Sequence, residues 1–399
     1  MKPYPQEMGR DFDTEFELWS QSVQAQQREL DFSPELQDFF ENSIRAFLSD
    51  GDTENRLVSP LNIYLSLSLL SEVTEGDSRQ EIMSALNCPD MDTLRKRASD
   101  LWNSHYRRDG ATSLLLANSL WLRDDTEYNA DTLNTLASEY YTASFAGQMG
   151  SEEYHKLLSN WLSQQTDGLL DAAAGAEGFD AETLMALASS VCYRAKWSSE
   201  FQPGLTLPAF FYAPGGEKEI DFMHRSYTGH YYWGEGFGAI KLPLANGGGS
   251  MSLILPDKDV ICHELISQDE VMDFIFSGSQ WDRNKYLTIK LSMPKFDVES
   301  AFELKSGLNR LGIEAVFSEK ADFSPLCDAE GLYLSQANHA VRLAVDEEGV
   351  SAAAYTLMAA AGAGMPPEEE IDFTLNRPFI FVISSDFGQP LIAGLVNNP

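Results

Sequence analysis

Apolar and polar positions alternate along the chain with several distinct periods, and the changes of period mark its elements. In DFSPELQDFFENSIRAFLSDG, apolar side chains at Leu36, Phe39, Phe40, Ile44, Phe47 and Leu48 follow the period of a helix face. Ser33-Pro34 opens this helix and Gly51 ends it. A second helix starts at Ser59-Pro60, and its run LNIYLSLSLLSEV is apolar on most sides, which predicts a buried helix. The stretches SLLLANSLWLR (113–123) and TLMALASSVCYRAKW (183–197) are almost continuously apolar, as strands covered on both faces are. Between them, Leu157, Leu158, Trp161 and Leu162 have helical spacing with a stop at Gly168, which predicts a helix crossing that sheet.

Farther on, FGAIKLPLANGGGSMSLILPD predicts a hairpin with Asn246-Gly247 at its turn. In YLTIKLSMPKF, Leu287, Ile289, Leu291 and Met293 alternate with polar residues, the pattern of a half-buried strand. Residues 1–31 are polar up to Phe16–Trp19 and are expected to form an N-terminal extension that docks as a short helix, with one domain over 32–399. One long segment interrupts the elements: GVSAAAYTLMAAAGAGMPPEEE, from Gly349 to Glu370, between the strand-like NHAVRLAV and the terminal runs NRPFIFVI and PLIAGLV. A loop of this length inside a compact domain is commonly functional. Its alanines also allow an Ala-rich helix or a linker.

The chain has 399 residues, 43% hydrophobic and 22% charged, which is the composition of a folded globular protein. Its formal charge of −33 repels phosphate, so neither nucleic acid nor an anionic membrane is expected as a partner. No apolar run is long enough to span a bilayer, and the start MKPYPQEMGRDFDTEF lacks the apolar core of a signal peptide. Cys88, Cys192, Cys262 and Cys327 are far apart with no ligand-like spacing, so free thiols are expected. Nucleophile-elbow, zinc-protease and phosphate-loop motifs are absent from the sequence, and the six histidines are scattered, so no catalytic residue, cofactor or metal is expected. Arg95, Lys96, Arg97, Arg107 and Arg108 form a basic cluster that would suit a polyanion. Interleaved Asp92, Asp100 and Asp109 favour a solvated helix face instead.

Seven segments, in order from about residue 32, resemble the motifs of the serpin family. They are NRLVSPLNIYLSLSLLSEVTEGDSRQEI, LLLANSLWLR, SNWLSQQTDGLL, ASSVCYRAKWSSEF, MPKFDVESAFELKSGLNRLGIEAVFSEKADFS, LSQANHAVRLAVDEEG, and NRPFIFVI with the terminal NNP. The chain looks like a prokaryotic-type member. The resemblance implies an α+β serpin fold with three β-sheets, a five-stranded central sheet A, eight or nine helices and an exposed reactive-centre loop, here 349–370. It implies a monomeric protease inhibitor rather than an enzyme. A protease cuts the loop, is trapped as an acyl-enzyme, and is carried away as the loop inserts between strands three and five of sheet A. An extracellular or cell-surface location is expected, with the cytoplasm as the alternative.

Carried over residue by residue, the hinge is Gly349, Val350, Ser351, Ala352, Ala353 and Ala354. Glycine is expected at 349 so that the chain turns freely into the loop. The family's spacing of fourteen residues puts the cut at Ala363-Gly364, with slippage to Ala361 or Met365 open. A small residue there suits elastase-like or subtilisin-like serine proteases, with cysteine proteases as a further class. By the two-residue period, Val350, Ala352, Ala354, Thr356, Met358 and Ala360 share the face expected to meet the core, while Tyr355 falls on the outer face. Ser59, Ser189 and His339 match the hydrogen-bonded shutter under sheet A, with Ser189 standing where the family has asparagine. Trp197, Lys295 and Glu347 match the breach, where a Glu347–Lys295 ion pair is expected. The alternative function is a noninhibitory serpin, either a binding protein or a plain protease substrate.

Overall fold

In the computed structural model, residues 12–26, 34–49, 53–110, 112–166, 168, 178–277, 280–329, 331–350 and 367–399 are described. The chain runs α1 (Phe12–Gln26), α2 (Pro34–Leu48), β1 (Arg56–Val58), α3 (Pro60–Glu72), α4 (Gly76–Ala85), α5 (Met91–His105), β2 (Arg107–Arg108) and β3 (Thr112–Arg123). It continues through α6 (Ala130–Glu139), β4 (Ala143–Gly147), α7 (Glu152–Gln165), β5 (Met185–Lys196), β6 (Leu207–Ala213), β7 (Gly216–Gly234), β8 (Phe237–Pro243) and β9 (Ser250–Pro256). Then follow α8 (Cys262–Leu265), α9 (Asp269–Phe276), β10 (Asn284–Pro294), β11 (Phe296–Glu303), α10 (Lys305–Arg310), β12 (Gln336–Val345), β13 (Gly349–Val350), β14 (Glu370–Thr374), β15 (Phe379–Ser384) and β16 (Pro390–Val396). Ten α-helices thus occur among the described residues, of which α8 and α10 have only four and six residues.

Local chemistry starts α3 where the sequence predicts. Ser59 caps α3 by accepting a hydrogen bond from the Asn62 amide at 3.2 Å, with Pro60 in the first helical position. Every residue of α3 from Pro60 to Ser71 is buried, because the helix lies in the centre of the body against β3, β5 and β16. Ser151 caps α7 in the same way through Tyr154. Tyr154, Leu158, Trp161 and Leu162 of α7 pack with Trp121, Phe179, Ala186 and Ala188 in a separate small core on sheet A. Leu157, read from the sequence as part of that stripe, lies at its edge and is exposed.

Sheet A has five long strands in the order β11, β12, β5, β3 and β4. Two two-residue strands bring it to seven: β2 at the end of β3, and β13 between β12 and β5. Of its long pairs, β11–β12 and β3–β5 are antiparallel, whereas β5–β12 is parallel over Gln336–Arg342 and Ala186–Cys192. The remaining strands form a nine-stranded sheet, because the 19-residue β7 runs through both of the smaller sheets that the resemblance implies. The β8–β9 hairpin turns at Asn246 and Gly247, both at positive φ (54° and 74°). All four cysteines are free and buried.

Candidate functional site

Strand β12 does not simply end at Val345. Asp346 caps a tight turn: its carboxylate Oδ1 accepts from the amides of Glu348 (2.9 Å) and Gly349 (3.1 Å), and its own amide donates to the Gly349 carbonyl (3.0 Å). The chain therefore doubles back, and β13 enters the top of the sheet. Gly349 lies opposite Lys196, and Val350 lies opposite Ala195 on one side and Val345 on the other. Val350 is fully buried, on the core-facing side assigned to it from the alternation.

Glycine is required at 349 for a different reason from the one expected. Its backbone is not among the positive-φ glycines. A Cβ there would stand 2.3 Å from the Ala195 carbonyl oxygen and 2.7 Å from Lys196 Cα, so the requirement is close approach to β5 rather than freedom to turn. Ser351, Ala352, Ala353, Ala354, Ala363 and Gly364 lie outside the described residues.

The hinge turn is tied to the segment after β5. Trp197 is buried and donates its indole N–H to the Asp346 carbonyl at 2.9 Å, and its amide donates to Glu348. The Phe201 amide donates to the Glu347 carbonyl at 2.9 Å. The expected ion pair is present, with Lys295 Nζ 2.8 Å from Glu347 Oε2. Thr206, which sequence reasoning missed, donates its hydroxyl to the other carboxylate oxygen at 2.7 Å. Burial on its own would raise the Glu347 carboxyl, but the hydrogen bonds from Lys295 and Thr206 outweigh it and hold the carboxyl below the usual range. The same bond raises the Lys295 ammonium.

Below the hinge, His339 is completely buried, and its two ring nitrogens bridge the core helix and the sheet. Nε2 accepts from the Ser59 amide at 3.1 Å, which leaves the proton on Nδ1, 2.8 Å from Ser189 Oγ. Burial pushes this imidazole down to about 3, so it is neutral. Ser59 also donates its hydroxyl to the Leu391 carbonyl at 2.7 Å.

Serine at 189 therefore serves as the histidine's acceptor, and the amides come from elsewhere. Asn118 lies opposite Ser189 on β3 and donates to Asn62 Oδ1 at 3.2 Å, while Asn62 Nδ2 donates to the Ser190 carbonyl at 3.1 Å. The Ser66 hydroxyl is 2.7 Å from Asn118 Oδ1. A signal for these missed residues was present: polar side chains inside apolar runs must find buried partners.

The model of the family described as "Serpin (serine protease inhibitor)" matches residues 35–399. The chain belongs to the serpin family. It is 26% identical over 350 residues to a leukocyte elastase inhibitor of Sus scrofa, covering 85% of this chain and 91% of the relative. It is 27% identical over 372 residues to antithrombin-III of Homo sapiens, covering 88% and 78%. Among solved structures, the thermophilic serpin tengpin in its native state superposes with a TM-score of 0.82 at 26% identity, covering 94% of this chain and 96% of that one. Human thyroxine-binding globulin, complexed with its hormone, shares the fold at a TM-score of 0.78 and 23% identity, covering 92% and 97%.

In this serpin two exposed ion pairs flank the start of β14. Lys285 pairs with Glu369 at 2.6 Å and Lys290 pairs with Glu370, fastening the start of β14 to β10. The basic cluster does not form a field of free cations. Arg95 is bidentate with Glu72 and also meets Asp92, Lys96 meets Asp100, and Arg107 is buried against Asp109.

Proposed function

We propose that this serpin is a suicide inhibitor of serine proteases of elastase-like or subtilisin-like specificity, with Ala363-Gly364 as its bait bond. The observation that carries the reading is β13, since the first two hinge residues already lie as a strand between β5 and β12 with Val350 in the core. In the proposed reaction the protease serine oxygen attacks the Ala363 carbonyl carbon. The C–N bond to Gly364 breaks, the new amine leaves with a proton, and Ala363 remains as an ester of the protease. Residues following Val350 then extend β13 down the sheet and drag the protease with them.

The direction of change follows from strand polarity. Strand β13 is antiparallel to both neighbours, whereas β5 and β12 below it pair in parallel. Each inserted residue exchanges a parallel pairing for two antiparallel ones, the better hydrogen-bonded arrangement. About ten added ladder bonds at roughly 0.5 to 1.5 kcal/mol each supply on the order of 10 kcal/mol, as much as the whole stability of an ordinary domain.

Incubation with pancreatic elastase and with subtilisin tests the reading. An SDS-stable adduct, whose released fragment begins at Gly364 by mass spectrometry, is the expected result. Quantitative cleavage without an adduct would overturn it and leave the noninhibitory alternative, a binding role or a plain substrate. The same assay with a papain-like enzyme addresses cysteine proteases.

A further inference from the structure

Two features singled out in the sequence, the glycine-rich turn after β8 and Arg107 of the basic cluster, meet at one place that the proposed reaction does not use. The turn from Leu244 to Gly249 is fixed on the body: a Cβ at Gly249 would fall 1.9 Å from the Ser384 carbonyl oxygen of β15, and Gly249 holds φ at 81°. From there it reaches across to the upper end of the β2–β3–β5 half of sheet A. The Ala245 amide donates to the Lys196 carbonyl at 2.7 Å, and the Tyr193 hydroxyl donates to the Gly248 carbonyl. Arg107 donates to the carbonyls of Asn246 (2.7 Å) and Gly247 (3.0 Å).

The buried Arg107 is itself locked. Its Nε donates to Asp109 Oδ2 at 2.7 Å, and the other oxygen of Asp109 accepts the Thr112 amide at 3.0 Å. Trp19 of α1 closes this knot from outside: its indole N–H donates to Asp109 at 2.8 Å, and its ring lies 5.3 Å from the Arg107 guanidinium. Excluding water from these bonds strengthens them.

The level at which the turn grips is also informative. Thr112 is opposite Ala195, and Ala195 is opposite Val350, so the knot and the inserted hinge share one row of the sheet. Strands β3 and β5 pair without a break from Thr112–Ala195 to Leu122–Met185, so parting them from each other would break the whole ladder. A strand entering between β5 and β12 must separate them by a further 5 Å or so, one inter-strand spacing. With its upper end held to β15 through the turn, this half of the sheet pivots but does not translate.

We infer that the 244–249 turn, Tyr193, Arg107 and the Trp19 cap form a latch that keeps the β5–β12 seam closed from Arg342–Cys192 downward. The inference rests on the proposal that the loop inserts into this sheet. The probe is an acetylated synthetic peptide of the sequence Val350–Ala361, mixed with the intact full-length chain. Its entry is followed by the rise in thermal stability that a completed sheet confers, a readout independent of any protease.

Tyr193→Phe keeps the ring and removes one latch bond, and Trp19→Ala removes the cap. Each is expected to take up the peptide at least about fivefold faster than the wild type, the effect of losing about one hydrogen bond from the closed state. Uptake at the wild-type rate by folded Tyr193→Phe and Trp19→Ala proteins overturns the latch while leaving insertion intact. Failure of all three proteins to take up the peptide overturns insertion, and the latch with it. If Trp19→Ala does not fold, the near-isosteric Tyr193→Phe decides alone.

Discussion

Gly349 and His339 bear on the proposed insertion at two levels of the same seam. At Gly349, alanine would force its Cβ against the Ala195 carbonyl, and its nearest neighbours there are all backbone atoms of Ala195–Trp197, with no flexible side chain to give way. Gly349→Ala is therefore expected to expel β13, to lower stability by roughly 1–3 kcal/mol in urea unfolding, and to divert most encounters with protease into plain cleavage, seen as a rise of several fold in the stoichiometry of inhibition.

His339 acts through its charge state. Its native value near 3 lies below the ordinary value of 6.5, so between the two only the unfolded chain binds the proton. The stabilisation is complete above about pH 6.5 and is lost progressively as pH falls toward 3, with a limiting slope on the order of 1 kcal/mol per unit. Urea midpoints of wild type and His339→Gln between pH 4 and 8 are expected to converge toward the acid end, because only the wild type has this loss. Midpoints that stay parallel would contradict the assignment.

Among elements, those with long apolar runs were legible, whereas the 19-residue β7, whose burial follows no sustained pattern, and the two-residue strands were not. Strands β3 and β5 announce themselves because burial on both faces removes polar residues from whole runs, and α3 does so for the same reason. Strand β13 is two residues long, and its pairing is decided by the Asp346 turn and the gap between two distant strands, neither of which has a local pattern. The Glu347–Lys295 pair was read from family motifs. Thr206 completes it from a segment with no periodic signal. Asn118 was visible as an interruption in LLLANSLWL, but only the register of β3 against β5 shows which residue it faces. The element-scale prediction concerns Val350, buried between its neighbours. Val350→Glu places an unpaired carboxylate in the core and is expected to abolish the adduct while cleavage continues, measured by SDS gel and by the absence of a stability gain after cleavage.

At the scale of the whole molecule, the formal charge of −33 opposes compaction, and a basic cluster in which Arg95, Lys96 and Arg107 are already paired does little to relieve it. Raising NaCl from about 0.05 to 0.5 M shortens the screening length several fold and is expected to raise the melting temperature by a few degrees. A fall would mean that exposed ion pairs such as Lys285–Glu369 outweigh the repulsion.

For the proposed insertion, the parallel seam between β5 and β12 is a crack whose upper end β13 already parts. Val350, level with Val345 and Ala195, stands three positions above the Arg342–Cys192 rung, and a strand advancing from there must part each rung in turn down to Gln336–Ala186. Opening is then a travelling front rather than a single event. Hydrogen exchange at amides bridging the seam should follow that front, with those beside Arg342 exchanging before those beside Gln336, and a graded profile of this kind would time the protein's commitment rung by rung.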